Sequence, residues 1–278
     1  MSDATDPAAT DAVAPAAITY VGHATTLIDM DGATLLTDPI LRNRVLHLRR
    51  RNGVAPGEMG AIDAVLISHL HWDHLDIPSL SLLDHNVRLL VPAGSGDLFF
   101  REGFINIAEL NVGDKAHIHN VTVEAVHAEH DAARLFSGAT APSLGFLIHG
   151  QRTVYFAGDT DLFSEMDALA GRVDVALLPV WGWGPTLGAG HMNPYRAALA
   201  LRMLQPRYAV PIHWGTLHPI GLQLLRPAFL DEPPRTFARF ARQLAPEVRV
   251  AVVEPGERWV IPAATDEHRL NNENTNLY

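Results

Sequence analysis

The sequence predicts an α+β protein in which two mixed β-sheets pack face to face with helices outside, a four-layered αββα sandwich. Three observations predict it: strand-like stretches open each half of the chain, helical stretches close each half, and no short tandem period suggests a solenoid. With 278 residues, 47% hydrophobic and 19% charged, the chain can bury a substantial core; the length suits one large domain or two small ones, and the element pattern favours one.

Taken in order, "AITYVGHATTLIDMDGATLLTDPIL" reads as three short strands separated by turn signals at Gly22 and at Asp31-Gly32. "AVLIS" is a buried strand, "IPSLSLLD" a short helix, and "RLLVP", "FINIAEL" and "VTVEAVHA" are further strands. In the second half, "LGFLIHG" and "TVYFAGD" form a hairpin, "LFSEMDALAG" is helical and "VDVALLPV" is a strand. A helix runs from Asn193-Pro194 to Leu204, with Asn193 as its cap and Pro194 in its first turn. Then follow the strand "YAVPI", a helix through "RTFARFARQLA", and the strands "VRVAVV" and "WVIP". The domain is expected over residues 18–262, between a flexible Ala/Pro-rich tail at 1–17 and a polar tail at 263–278.

Composition narrows the function. A net charge of −10 disfavours a nucleic-acid or anionic-membrane binder, since both require clustered positive charge. The stretch "RNRVLHLRRR", with Arg42, Arg44, Arg49, Arg50 and Arg51, reads as a solvated basic loop, with steering of an anionic substrate as the alternative. No window approaches the roughly 18 apolar residues of a membrane span, and the N-terminus lacks a signal peptide's pattern, so a cytoplasmic location is expected. The absence of cysteine leaves only nitrogen and oxygen to hold a metal.

The densest chemistry is "SHLHWDHLD", in which His69, His71, Asp73 and His74 spell H-x-H-x-D-H. His69 and His71, two apart past a strand end, can point to one side and ligate one ion, while Asp73 and His74 can face a neighbour. A catalytic zinc usually takes three protein ligands, and His130, Asp159 and His213 stand at other strand ends to supply the rest. A carboxylate such as Asp159 can bridge two ions. Neutral imidazole and carboxylate suit zinc first, with manganese or iron(II) as alternatives.

These pieces, with "YVGHATTLI", "TDPIL", "FAGDTD", "HMNP" and "PIHWGT", resemble the metallo-β-lactamase fold family over nearly the whole chain. The resemblance is narrower to the branch containing N-acylphosphatidylethanolamine-hydrolysing phospholipase D and L-ascorbate-6-phosphate lactonase. It implies the αββα fold, one metal site from His69, His71 and His130, a second from Asp73, His74 and His213, and Asp159 between them. "AVHAEHDAARL" departs from the family pattern by offering two histidines; the ligand is assigned to His130 and not His127.

Two divalent ions so held imply hydrolysis of a small anionic ester, phosphodiester or lactone by a metal-bridging hydroxide. Asp73 and His191 are the candidate catalytic residues; His191, in "GAGHMNPY", either binds the scissile group or protonates the leaving atom, or else braces the following helix. His23 is expected to pack structurally near the site, His127 to stand behind the ligands or face its strand, Thr160 and Asp38 to bond the ligating imidazoles, and Arg134 to meet a substrate anion or a surface carboxylate. "WGWGPTLGAG" reads as a glycine-rich loop over the pocket, and "PIGLQLLRPAFL" as an acyl-chain groove or a buried connector. The expected partner is a small molecule, with a homo-oligomer left open. The alternatives are a non-catalytic metal-binding or sensing protein and a di-iron redox enzyme on the same fold.

Overall fold

The computed structural model describes residues 14–51, 59–131, 141–222 and 228–263. Residues 1–13 and 264–278, which carry most of both expected tails, lie outside the described residues, as do Arg134 and the middle of "PIGLQLLRPAFL". Ala17, expected to end the tail, instead opens the first strand; it is fully buried and in register with Asp29 and Val260.

The first half supplies β1 (Ala17–Gly22), β2 (Thr25–Met30), β3 (Ala33–Thr37), β4 (Arg44–Val45), β5 (Leu48–Arg50), β6 (Ala64–Leu66), β7 (Arg88–Pro92) and β8 (Ile107–Leu110). Then come β9 (Lys115–Ile118), β10 (Val121–His127), β11 (Leu144–His149), β12 (Thr153–Phe156), β13 (Val175–Pro179), β14 (Tyr208–Ile212), β15 (Leu217–Pro219), β16 (Arg249–Val250) and β17 (Arg258–Val260). They form two seven-stranded sheets, ordered β17-β1-β2-β3-β6-β7-β8 and β16-β14-β13-β12-β11-β10-β9. Both are mixed. In the first, pairing is antiparallel from β17 to β3 and parallel from β3 to β8; in the second, it is antiparallel from β9 to β12 and parallel from β12 to β16.

Alternation along the strands makes the layers. Ile18, Ile28, Leu66 and Leu90 of the first sheet share one buried cluster with Val123, Phe146, Leu177 and Val210 of the second, which is the sandwich core. Val65, Leu89 and Val91, on the opposite face of the first sheet, pack with Leu80 of α1 (Ile77–Leu80) and Phe99 of α2 (Gly96–Arg101). The second sheet is covered by α3 (Pro194–Leu204) and α4 (Glu232–Leu244), which pack on each other. The Asn193 side chain caps α3 by accepting from the Arg196 amide at 2.9 Å. The result is the four-layered αββα arrangement.

Three local readings are corrected. "LFSEMDALAG" forms a 3-10 helix at Ser164–Leu169 rather than an α-helix, and "VRVAVV" pairs only through β16. The arginine-rich stretch is not a solvated loop: β4 and β5 join β15 in a small three-stranded sheet. Arg50 is buried there and donates to the carbonyls of Ile40 and Val21, and Arg42 is held by Asp76 at 2.6 Å. Backbone oxygens can satisfy a buried guanidinium, and charge counting along the chain does not show that. No described helix is long and apolar enough to cross a membrane.

Candidate metal centre

The centre begins where β3 and β6 run parallel. β3 is followed directly by Asp38, whose carboxylate accepts from the Ser68 amide (2.7 Å) and the Ser68 hydroxyl (2.6 Å) just past β6. The chain then turns tightly, with the His74 and Leu75 amides both bonded to the His71 carbonyl at 3.0 and 2.7 Å, and this coils His69, His71, Asp73 and His74 around one point. The second sheet closes on them from the ends of β10, β12 and β14, which deliver His130, Asp159 and His213. Gly158 allows this approach: its φ is +61°, and a Cβ there would stand 2.7 Å from that of Ser68.

All seven candidate ligands are brought together. His69 Nε2 and His130 Nε2 lie 3.0 and 3.1 Å from His71 Nδ1. His74 Nε2 and His213 Nε2 are 3.0 Å apart, each 3.8 Å from Asp73 Oδ2. Asp159 reaches His74 Nε2 at 3.1 Å through Oδ2 and His213 Nε2 at 3.2 Å through Oδ1.

The outward nitrogens fix the tautomers. His74 Nδ1 donates to Asp38 (2.7 Å), His130 Nδ1 to the Gly190 carbonyl (2.9 Å) and His213 Nδ1 to the Trp181 carbonyl (2.6 Å). His69 Nδ1 donates to the Ser68 hydroxyl (3.0 Å), which in turn donates a hydrogen bond to Asp38. His69, His130 and His213 therefore turn an unprotonated Nε2 inward, and His74 does so in its neutral form. Burial lowers the pKa of His69, His71, His130 and His213, the last to about 3, which keeps them neutral. Burial also acts against His74, but the Asp159 and Asp73 carboxylates outweigh it and raise its pKa. Asp73 and Asp159 stay ionised despite burial because imidazoles surround them, led by His74 for the first and His213 for the second.

This donor set fits divalent metal ions. Two nitrogens at a tetrahedral angle about a zinc ~2.0 Å away stand about 3.3 Å apart, close to the separations seen. Asp159 Oδ1 is buried and makes no hydrogen bond despite its nearness to His213, an orphaned acceptor that a cation would satisfy. Three residues beside the centre, His23 (φ 60°), Asp38 (φ 33°) and His213 (φ 66°), hold left-handed backbone, which costs roughly 1–3 kcal/mol each outside glycine.

A family model described as a beta-lactamase superfamily domain matches residues 33–214, a span that holds every one of these ligands. The chain belongs to the metallo-β-lactamase-fold hydrolase family. A UPF0173 metal-dependent hydrolase of Methanopyrus kandleri is 30% identical over 250 residues, covering 87% of this chain and 98% of that one. Among solved structures, a metallo hydrolase from Ignicoccus hospitalis aligns with TM-score 0.68 and 23% identity over 90% of this chain and 100% of that one. A diiron beta-hydroxylase from Streptomyces venezuelae aligns with TM-score 0.67 and 21% identity over 89% of this chain and 54% of that one. At these identities the two structures speak for the fold alone.

Around the metallo-β-lactamase-type ligands the structure sorts the remaining candidates. His191 joins the centre, its Nε2 3.3 Å from Asp159 Oδ2 and its Nδ1 donating to the Ala189 carbonyl. Asp159 lifts its pKa to about 9, although burial opposes this. His191 does not cap α3; Asn193 does. His127 is exposed beside Glu129, facing away from the ligands. Thr160 bonds no imidazole: its hydroxyl accepts from the Glu129 amide and donates to the Asp161 carbonyl, bracing the two ligand loops instead. His23 packs near the site as expected and does more, bonding Asp73 Oδ2 at 3.0 Å with its ring 3.8 Å from that of His213. Sequence reasoning missed His47, which wedges edge-on against Trp72 and Trp183 at 5.6 and 5.1 Å. A cavity of about 310 Å³ opens over the ligands between these indoles and the 182–191 segment.

Proposed function

We propose that this protein hydrolyses an ester-type bond, in an ester, a lactone or a phosphodiester, using two divalent ions. His69, His71 and His130 would hold one ion, Asp73, His74 and His213 the other, and Asp159 would lie between them. The observation that carries the reading is the set of imidazole nitrogens turned inward around the bare Asp159 Oδ1. Bound ions would supply Lewis acidity and make a water more acidic. Zinc suits this nitrogen-rich set best, with manganese or iron(II) as alternatives.

The chain's own residues supply positioning and proton transfer. In hydrolysis the water oxygen adds to the acyl carbon or phosphorus, the bond to the leaving oxygen breaks, and that oxygen takes up a proton. His191 lines the cavity with Nε2 directed at Asp159, so it can hold a proton where a leaving atom would emerge. Asp73, held by His23, keeps a fixed negative charge in the cavity lining.

The relatives named metal-dependent hydrolases support this class. Resemblance to the phospholipase D and lactonase branch favours phosphodiesters and lactones within it. The expected anionic substrate has less support, since among the described residues the cavity is lined by no lysine or arginine.

The test is a screen of metal-loaded protein against phosphodiesters, lactones, thioesters and β-lactams, with metal content measured and Asp73→Ala as control. Activity that survives in the control overturns the two-ion reading, and iron as the native metal would favour the redox alternative. For His191→Ala we expect retained metal and a kcat lowered by roughly 10²- to 10⁴-fold. Unchanged kcat with both ions bound rejects the proton-transfer role.

A further inference from the structure

Resting on the hydrolytic reading above, we propose that the substrate presents an uncharged apolar group, alkyl or aryl, to the cavity over the ligands. The cavity is walled by Trp72, Trp183 and Leu187, and glycine backbone at 182, 184 and 188 forms much of the rest. Nothing cationic among the described lining residues could receive a carboxylate or phosphate tail, apart from the histidines at the floor. Arg50 and Arg42 are engaged elsewhere, the first with backbone carbonyls and the second with Asp76.

The walls are built to stay in place. Trp72 and Trp183 both pack against a cluster in which Val45, Leu48 and Leu217 of the small three-stranded sheet are joined by Ile40. His47 is set edge-on against both indoles from the turn between β4 and β5. The small sheet therefore acts as a buttress that fixes two aromatic surfaces beside the reacting end of the cavity. Gly182 keeps the gap open: a Cβ there would stand 3.3 Å from Leu187 and 3.8 Å from the His213 ring. A group entering between indoles and Leu187 would lose water from apolar surface on both sides, whereas a charged group would be desolvated without a partner.

Metal-loaded protein should be assayed with 4-nitrophenyl acetate, butyrate and hexanoate, and with 4-nitrophenyl succinate, whose tail is anionic. KM is expected to fall about three- to fourfold per added methylene until the cavity fills, with succinate poorer than the neutral ester of similar length. Trp183→Ala and, separately, Leu187→Ser should flatten that dependence, and Trp183→Phe should restore much of it. A flat KM series in the parent protein, or a succinate preference, overturns the proposal. Binding of N-benzylacetamide against N-methylacetamide, read by calorimetry, separates this proposal from the hydrolytic one. If no ester is turned over yet the benzyl compound binds more tightly, and Trp183→Ala removes the difference, the apolar cavity stands and the hydrolase reading falls. Equal binding of the two amides sinks the apolar cavity whatever the turnover.

Discussion

The two groups of candidate ligands in the centre touch each other and share a chemistry, yet they are supported differently. The His69, His71 and His130 group contains no carboxylate, and His71 and His130 are only half-buried. Its outward partners are neutral: the Ser68 hydroxyl and the Gly190 carbonyl. The Asp73, His74 and His213 group is buried, includes a carboxylate, and is backed by Asp38, His23 and the Trp181 carbonyl. Hydrogen bonds to the far side of a ligand raise its basicity and fix its orientation, so the second group should hold its ion more tightly. The cavity reaches both groups, touching His71 of the first and Asp73 and His213 of the second. Asp38 alone serves both, directly through His74 and by way of Ser68 to His69.

Removing Asp159 should do the most damage, because its carboxylate lies within 3.3 Å of His74, His213 and His191. For Asp159→Asn we expect hydrolysis to fall by more than about 100-fold, beyond the range typical of residues behind the ligands, with metal content reduced. A variant with both ions at full occupancy and normal turnover would show that this carboxylate is not shared. Asp38→Asn comes next, with affinity weakened roughly 10- to 100-fold at both positions in chelator competition. Ser68→Ala should weaken only the first group. If Asp38→Asn affects one ion alone, the picture of a common anchor fails.

The same contrast explains what the sequence revealed. His69, His71, Asp73 and His74 were legible because six consecutive residues at a strand end carry them, and His130, Asp159 and His213 because each follows an apolar strand-like run. The sheets were legible for a similar reason, since long buried strands such as β10 and β14 announce themselves by composition. The supports were less so. His23 reaches Asp73 from a turn 50 residues earlier. The aromatic wall rests on β4, β5 and β15, of two, three and three residues, too short to show a period. Arg50 looked solvated because its acceptors are backbone carbonyls, which leave no trace in side-chain pattern. Thr160 misled because a hydroxyl beside a ligand has backbone partners as well as imidazoles within reach.

His23 offers a smaller and more selective test. Its Nε2 bonds Asp73, and its ring lies against that of the second group's His213, with nothing comparable behind His71 or His130 among the described residues. His23→Gln should therefore lower affinity at the second position by about tenfold or less and leave the first unchanged. Two-step metal titration followed by calorimetry would resolve the two events, and equal weakening of both would remove the distinction between the groups.

The smallest expected effect lies outside the centre, and it separates loss of metal from loss of fold. Glu124, on β10, sits 2.9 Å from Arg172, 3.2 Å from His149 and 3.3 Å from Lys115. Burial acts to raise its pKa, but hydrogen bonds from these neighbours, Arg172 foremost, outweigh it and hold the carboxyl at about 2. A carboxylate whose folded pKa is depressed stabilises the fold above its unfolded pKa, and that contribution disappears as the pH falls through the folded value. Glu124→Gln should thus cost about 1 kcal/mol, roughly 2 to 4 °C in Tm, at pH 7, and the difference from the parent protein should close as the pH falls from about 4.5 toward 2. Metal content and turnover at pH 7 should not change. If Glu124→Gln also loses metal, then the losses expected for Asp38→Asn and His23→Gln could arise from a loosened sandwich, and the contrast between the two groups would have to be measured again against fold stability.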